Sequence, residues 1–161
     1  KGYYVTREYV EKHKGETDYV YYLANILRYP SYVSGAYVLQ HYDVLTDITY
    51  PITSITTKST RAYTNRLGVF MYSSIAPKLY TGYERALYEN QPIYIATKAK
   101  ALFDYLYIKY IKTKISAEDI VSRERLNVEG FTGKEKNEFK RYCTSARKKV
   151  LVAVYHELFH E

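Results

Sequence analysis

Residues 50–107 read YPITSITTKSTRAYTNRLGVFMYSSIAPKLYTGYERALYENQPIYIATKAKALFDYLY, and the order of patterns in this stretch decides the fold. Residues 52–58 alternate as a half-buried strand rich in Thr and Ile, types that suit a pleated surface. Asn65 to Gly68 reads as the turn into a second strand, Val69 to Ser73. Two more runs, residues 83–88 and 93–96, form a hairpin around Glu89-Asn90-Gln91-Pro92. Thr97 then caps a helix from Lys98 to Lys112. Its Ala99, Leu102, Phe103, Leu106 and Tyr110 follow helical spacing and face the sheet.

Working outward, Asp18 can cap a helix running to about Arg28, with Val20, Leu23, Ala24 and Leu27 on one face. Pro30 ends it. Ser34 can cap a shorter helix to about Tyr42, and Asp43 suits the left-handed conformation at its end. At the beginning, Lys1-Gly2-Tyr3-Tyr4-Val5 reads as a strand entered from a glycine turn. Downstream, Ser116-Ala117-Glu118-Asp119 resembles a capping box and opens a short helix. Thr132-Gly133-Lys134-Glu135 is a full capping box and opens a long terminal helix lined by Phe139, Cys143, Ala146, Val150 and Val154. The expected fold is α+β: a small, mostly antiparallel sheet flanked by helices, with a long C-terminal helix.

The chain's 161 residues suit one domain, or one domain plus a remnant of another. No run approaches the ~20 apolar residues of a membrane span, and no charged-then-apolar leader is legible. The single Cys143 cannot form an internal disulfide. Together these predict a cytoplasmic protein away from membranes. The net charge of +7 permits an anionic partner such as nucleic acid without requiring one. There are 22 Tyr and no Trp, spread along the chain, which fits either a compositional bias or a use of Tyr in cores, interfaces and stacking platforms.

The block resembles the AbiE-type antitoxins, the AbiEi component of type IV toxin–antitoxin (abortive infection, phage defence) systems. Ser31-Tyr32-Val33-Ser34 is similar to the family's SYIS opening. Thr53-Ser54-Ile55-Thr56-Thr57-Lys58 and Arg61 are similar to its TSVTTKRTR strand. Leu67-Gly68, Phe70 and Tyr72 are similar to its NPLGRFSYRHI strand. Ile95-Ala96-Thr97, Lys100-Ala101-Leu102 and Asp104 are similar to its IATPEKALLDLL helix. The likeness covers roughly residues 30–128. Lys98 departs from the usual Pro at the first helical position, and Asp43 from a common Gly; neither opposes the fold. The resemblance implies an antitoxin that neutralises a co-encoded nucleotidyltransferase-like toxin without a stable complex. It also implies operon autoregulation, with an N-terminal winged helix-turn-helix on operator DNA. On that reading residues 1–16 are a remnant of wing and linker and residues 17–161 are the antitoxin domain. An alternative is an accessory nucleic-acid-binding domain of a transcriptional regulator. Neither a cofactor nor catalysis is expected.

Three groups of polar residues are candidates for partner contact. Lys58, Arg61 and Arg66 form a possible fork for phosphate, or ordinary charges on a sheet edge. Lys140 and Arg141 recur two turns on near Arg147 and Lys148, so with Lys149 they share a stripe of the last helix, to meet nucleic acid or as a solvated face paired at Glu135 and Glu138. Lys100 and Asp104, at i and i+4, read as a local ion pair or as part of a polar site. His156-Glu157-Leu158-Phe159-His160 matches a zinc-protease signature in letters only, since no third ligand is evident. Cys143 on an apolar stripe reads as a packed thiol.

Overall fold

The computed structural model describes residues 4–46 and 51–160. Six strands form one mixed sheet: β1 (Ser31–Val33), β2 (Ile52–Thr56), β3 (Arg61–Asn65), β4 (Gly68–Ser74), β5 (Tyr83–Tyr88) and β6 (Gln91–Ala96). Their spatial order is β3-β4-β2-β1-β6-β5. The β1–β2, β3–β4 and β5–β6 pairs are antiparallel, whereas β2–β4 and β1–β6 are parallel. The helices are α1 (Arg7–Lys12), α2 (Thr17–Leu27), α3 (Ala36–His41), α4 (Lys98–Tyr110), α5 (Ala117–Glu124), α6 (Gly133–Ser145) and α7 (Lys149–Phe159). This is the expected α+β class with a mostly antiparallel sheet. No helix among the described residues is long and apolar enough to cross a membrane.

Each face of the sheet has its own cover. Helix α2 lies on one face, where the Tyr72 hydroxyl donates to the Ala24 carbonyl at 2.6 Å. Asn25 mends a gap on the same side. Strand β1 is only three residues long, and its pairing with β6 is confined to Val33 opposite Ile95. The Asn25 side chain accepts from Tyr94 N at 2.9 Å and donates to Tyr94 O at 3.3 Å, standing in for a strand. Helices α3 and α4 cover the other face. Leu102, Phe103 and Leu106 of α4 are fully buried, as are Tyr32 and Ile93 of the sheet. Helices α5, α6 and α7 pack behind α4.

Several local expectations hold. Thr97 caps α4, Ser116 caps α5, and Thr132 with Glu135 forms a reciprocal capping box on α6. Asp43 is left-handed, with φ of 55°. Other expectations need correction. The β5–β6 turn is the two residues Glu89-Asn90, both at positive φ (45° and 64°), the two-residue hairpin geometry that follows sheet twist. Pro92 therefore lies inside β6. The N-cap of α2 is Glu16, and Asp18 sits in the first turn. Residues 31–33 are a strand, and residues 61–65 another, both unforeseen. Of the expected strand at 1–5, residues 1–3 lie outside the described residues, and Tyr4 and Val5 are not in a strand. Within residues 1–16, read from the resemblance as wing remnant and linker, residues 7–12 form α1.

The terminal helix is two helices. Ala146 ends α6, Arg147 turns left-handed at φ of 55°, and α7 begins at Lys149. Packing explains the break. A continuous helix over this span would reach about 40 Å and leave much of one apolar face unopposed. Folded back, the ring centroid of Phe139 on α6 lies 6.3 Å from that of Tyr155 and 6.1 Å from that of Phe159 on α7.

Candidate functional site

The most concentrated chemistry lies where β1 crosses α4. Lys100 and Asp104 are one turn apart on α4, so their side chains meet. Lys100 Nζ donates to Asp104 Oδ1 at 2.6 Å and to the Leu79 carbonyl at 2.9 Å. Asp104 Oδ2 accepts from Ser34 Oγ at 2.7 Å and from the Tyr32 hydroxyl at 3.0 Å. Lys100 and Asp104 have no exposed surface at all. Aromatic faces complete the ammonium's shell: the Phe103 centroid is 4.6 Å from Nζ and the Tyr142 centroid 5.1 Å. Burial lowers the pKa of Lys100 and raises that of Asp104, and each opposes the shift in the other. The Tyr32 hydroxyl is raised by burial and by Asp104, so it stays a donor.

The surrounding backbone is shaped to this pair. Ser34 was expected to cap α3, but its hydroxyl goes to Asp104. Gly35 takes the N-cap instead, with φ of 69°. Thr53 on the neighbouring strand supplies the missing cap, as its Oγ1 accepts from Tyr37 N at 3.2 Å and donates to the Ser34 carbonyl. Gly82 has φ of 79°, and a Cβ there would stand 2.1 Å from the Tyr142 hydroxyl and 2.9 Å from Lys100 Cγ. Beside the pair, a cavity of about 270 Å³ lies between Thr53, Ile55, Met71 and Ser73 of the sheet and Asp104 and Ile108 of α4.

The other sequence-predicted groups are dispersed. Lys58 is exposed in the loop after β2. Arg61 opens β3 with its guanidinium 5.3 Å from the Tyr63 centroid. Arg66 lies in the β3–β4 turn, the length of β3 away, about 16 Å along the strand. The three do not converge into one fork. The break between α6 and α7 likewise dissolves the second stripe. Lys140 Nζ lies 4.7 Å from the Tyr155 centroid, Arg141 is exposed on α6, and Arg147, Lys148 and Lys149 occupy the turn and the start of α7. Their supposed partners are engaged elsewhere. Glu135 pairs with Lys98 at 3.0 Å, and Glu138 accepts from the Thr97 and Tyr142 hydroxyls, each at 2.8 Å.

His160 is the left-handed C-cap of α7, at φ of 52°, so its side chain leaves the helical register that would align it with His156. Among the described residues no three His, Cys, Asp or Glu are grouped to hold a metal ion. Cys143 is fully buried, and burial pushes its thiol up to about 12, which leaves it unreactive. Sequence reading named Tyr32, Ser34 and Thr53 only as positions of the family resemblance, and did not single out Gly82 or Tyr142. As chemistry, the i, i+4 spacing of Lys100 and Asp104 pointed to the site. A scan against protein-family models finds no match to this chain, and searches of curated proteins and of solved structures find none either.

Proposed function

We propose that this chain is an antitoxin domain of the type IV kind, which neutralises a co-encoded nucleotidyltransferase-like toxin without forming a stable complex with it. It works as a non-enzymatic domain in which the Lys100–Asp104 network is scaffold. One observation supports this reading above others. The four segments that carry the AbiEi resemblance are separate stretches between residues 31 and 104, and they fold side by side as β1, β2, β4 and the β6–α4 junction. Their polar residues Tyr32, Ser34, Lys100 and Asp104 are bonded into one buried network. A likeness of composition alone gives no reason for these segments to meet. The test is rescue: the chain is co-expressed with the nucleotidyltransferase-like toxin encoded beside it. Growth is expected to recover. Growth that stays blocked while the chain is folded and abundant defeats the reading.

A second reading, an accessory nucleic-acid-binding domain, is favoured by Lys58, Arg61 and Arg66 being exposed without an ion pair among the described residues. Charge reversal of these three would then weaken binding to operator DNA and leave rescue intact.

A further inference from the structure

Helix α1 stands over a cleft instead of packing flush, and none of its six residues is buried. Gly15, at φ of 88°, turns the chain between α1 and α2. Tyr9 and His13, one turn apart, therefore reach Tyr19 on α2, with ring centroids 5.7 Å and 5.5 Å from it. Between α1, α2 and the β3–β4 turn lie cavities of about 450 Å³ and about 310 Å³. Tyr19, Leu23 and Leu67 line both, so the two are compartments of one cleft. The larger has the rings of Tyr4, Tyr9, Tyr19 and Tyr22 on its walls, and no charged side chain among the described residues lines it. The smaller holds His13 with Tyr19, and exposed Glu11, Lys14 and Arg66 edge it.

Two buried polar atoms of this cleft, the Tyr19 hydroxyl and His13 Nε2, have no hydrogen-bond partner among the described residues. Their residues are only 4% and 5% exposed. Buried polar groups are nearly always bonded, and one left without a partner costs stability. The groups around them are already engaged. The Tyr9 hydroxyl donates to Glu89 at 2.6 Å, and His13 Nδ1 lies 2.9 Å from both Glu16 and the Tyr88 hydroxyl. The Glu16 carboxylate can only accept, which places the proton on Nδ1 and leaves Nε2 of the neutral ring as an acceptor. Glu89 Oε1 stands 3.9 Å from Nε2, beyond hydrogen-bond reach. Burial raises the Tyr19 hydroxyl, so it stays protonated and can both donate and accept. The cleft thus presents one donor and one acceptor on neighbouring rings, both unused.

We propose that the cleft under α1 binds a small, flat, uncharged aromatic molecule that carries one hydroxyl or N–H group. Its rings lie among Tyr4, Tyr9, Tyr19 and Tyr22, and its polar group bridges the Tyr19 hydroxyl and His13 Nε2. The larger compartment has the volume of a small-molecule site and the aromatic lining that suits a flat apolar body. An anion finds no cation there and meets Glu16 and Glu89 beside His13. A cation meets Lys14 and Arg66 at the edge, neither in an ion pair among the described residues. A wholly apolar molecule leaves Tyr19 and His13 without partners. The cleft borders α2, on the sheet face opposite the Lys100–Asp104 network, so the proposal does not rest on the antitoxin reading.

The experiment is isothermal titration calorimetry of the whole chain with three matched probes: naphthol, methoxynaphthalene, which lacks the hydroxyl proton, and naphthoate, which is an anion. Naphthol is expected to bind at one site with a dissociation constant of about 0.1 mM or tighter. Methoxynaphthalene is expected to bind about tenfold more weakly, for want of a donor to His13. Tyr19→Phe is expected to weaken naphthol about tenfold while the thermal midpoint of the free protein holds or rises, because the hydroxyl removed had no partner. Leu67→Trp, which fills both compartments from the turn, is expected to abolish binding. Saturating naphthol should also slow hydrogen exchange over α1, which supplies Tyr9 and closes over the probe. Failure of naphthol to bind overturns the proposal, and so does full affinity in Tyr19→Phe or Leu67→Trp. Tighter binding of naphthoate overturns it in favour of an anion site at Lys14 and Arg66. A lower thermal midpoint in Tyr19→Phe overturns it as well, since the hydroxyl would then be part of the scaffold.

Discussion

Lys100 shows how much a single residue depends on its neighbours. A fully buried ammonium is tolerated because Asp104, the Leu79 carbonyl and two aromatic faces replace its water. Removing one partner leaves the other charge buried and unpaired, which costs about 3–5 kcal/mol. Asp104→Asn and Lys100→Met are each expected to lose that much in urea melts. Lys100→Met with Asp104→Leu is expected to recover most of it, because the desolvation cost disappears with both charges. If the double variant is as unstable as the sum of the singles, the two charges are not coupled and the scaffold account needs revision. Gly82 makes a sharper point at the same site. Gly82→Ala would strain a positive φ and drive a methyl into the Tyr142 hydroxyl, so it is expected to destabilise by at least about 2 kcal/mol.

Among the elements, the α6–α7 break is the most telling. Arg147 holds a left-handed backbone that costs a non-glycine residue about 1–2 kcal/mol. Arg147→Gly is therefore expected to stabilise the protein by about 1 kcal/mol, read from the urea midpoint. In a continuous helix the same change would destabilise by a similar amount, so the sign of the effect decides between the two structures. The start of α6 carries a pH dependence. The Glu135 carboxyl is partly buried, which alone would raise its pKa, but the Thr132 backbone N–H and Lys98 bring it below its usual value of 4.5. Its contribution is thus complete above the unfolded value and is lost as pH falls through the folded one. Glu135→Gln is expected to cost about 1 kcal/mol at pH 7, and the gap to the parent should close by pH 3. These elements also mark what the sequence made legible. Thr97, Ser116 and Thr132 with Glu135 are local capping signals, complete within four residues, and the structure keeps all three. The break at Arg147 has no Gly or Pro to announce it, because its cause is the packing of Phe139 on Tyr155 and Phe159. Strand β1 is invisible for a similar reason: three residues become a strand only through β2 and β6. Lys100 and Asp104 were legible as a pair by spacing, whereas their burial depends on Tyr32 and Ser34, some 70 positions away.

Across the whole molecule, stability is graded from a rigid centre to a loosely held beginning. Helix α4 is capped, buried along most of its length and tied to β1 through Asp104. Helix α1 has six residues, none buried, and a helix so short is marginal by itself. Its attachment rests on a small cluster over the β5–β6 turn. The Tyr9 hydroxyl donates to Glu89 at 2.6 Å, and His13 Nδ1 lies 2.9 Å from both Glu16 and the Tyr88 hydroxyl. The rings of Tyr9 and His13 also pack at 4.2 Å. Helix α1 therefore opens locally through this cluster, while α4 opens only when the sheet itself unfolds. Hydrogen exchange read by mass spectrometry is expected to show rapid exchange over residues 7–12 and the slowest exchange in α4. Glu89→Gln and Tyr88→Phe should each speed exchange in α1 several-fold and leave α4 unchanged, because the cluster lies outside the core that α4 shares with β1. If α1 and α4 instead slow or speed together in both variants, the N-terminal helix belongs to the same cooperative unit as the Lys100–Asp104 network, and the graded picture fails.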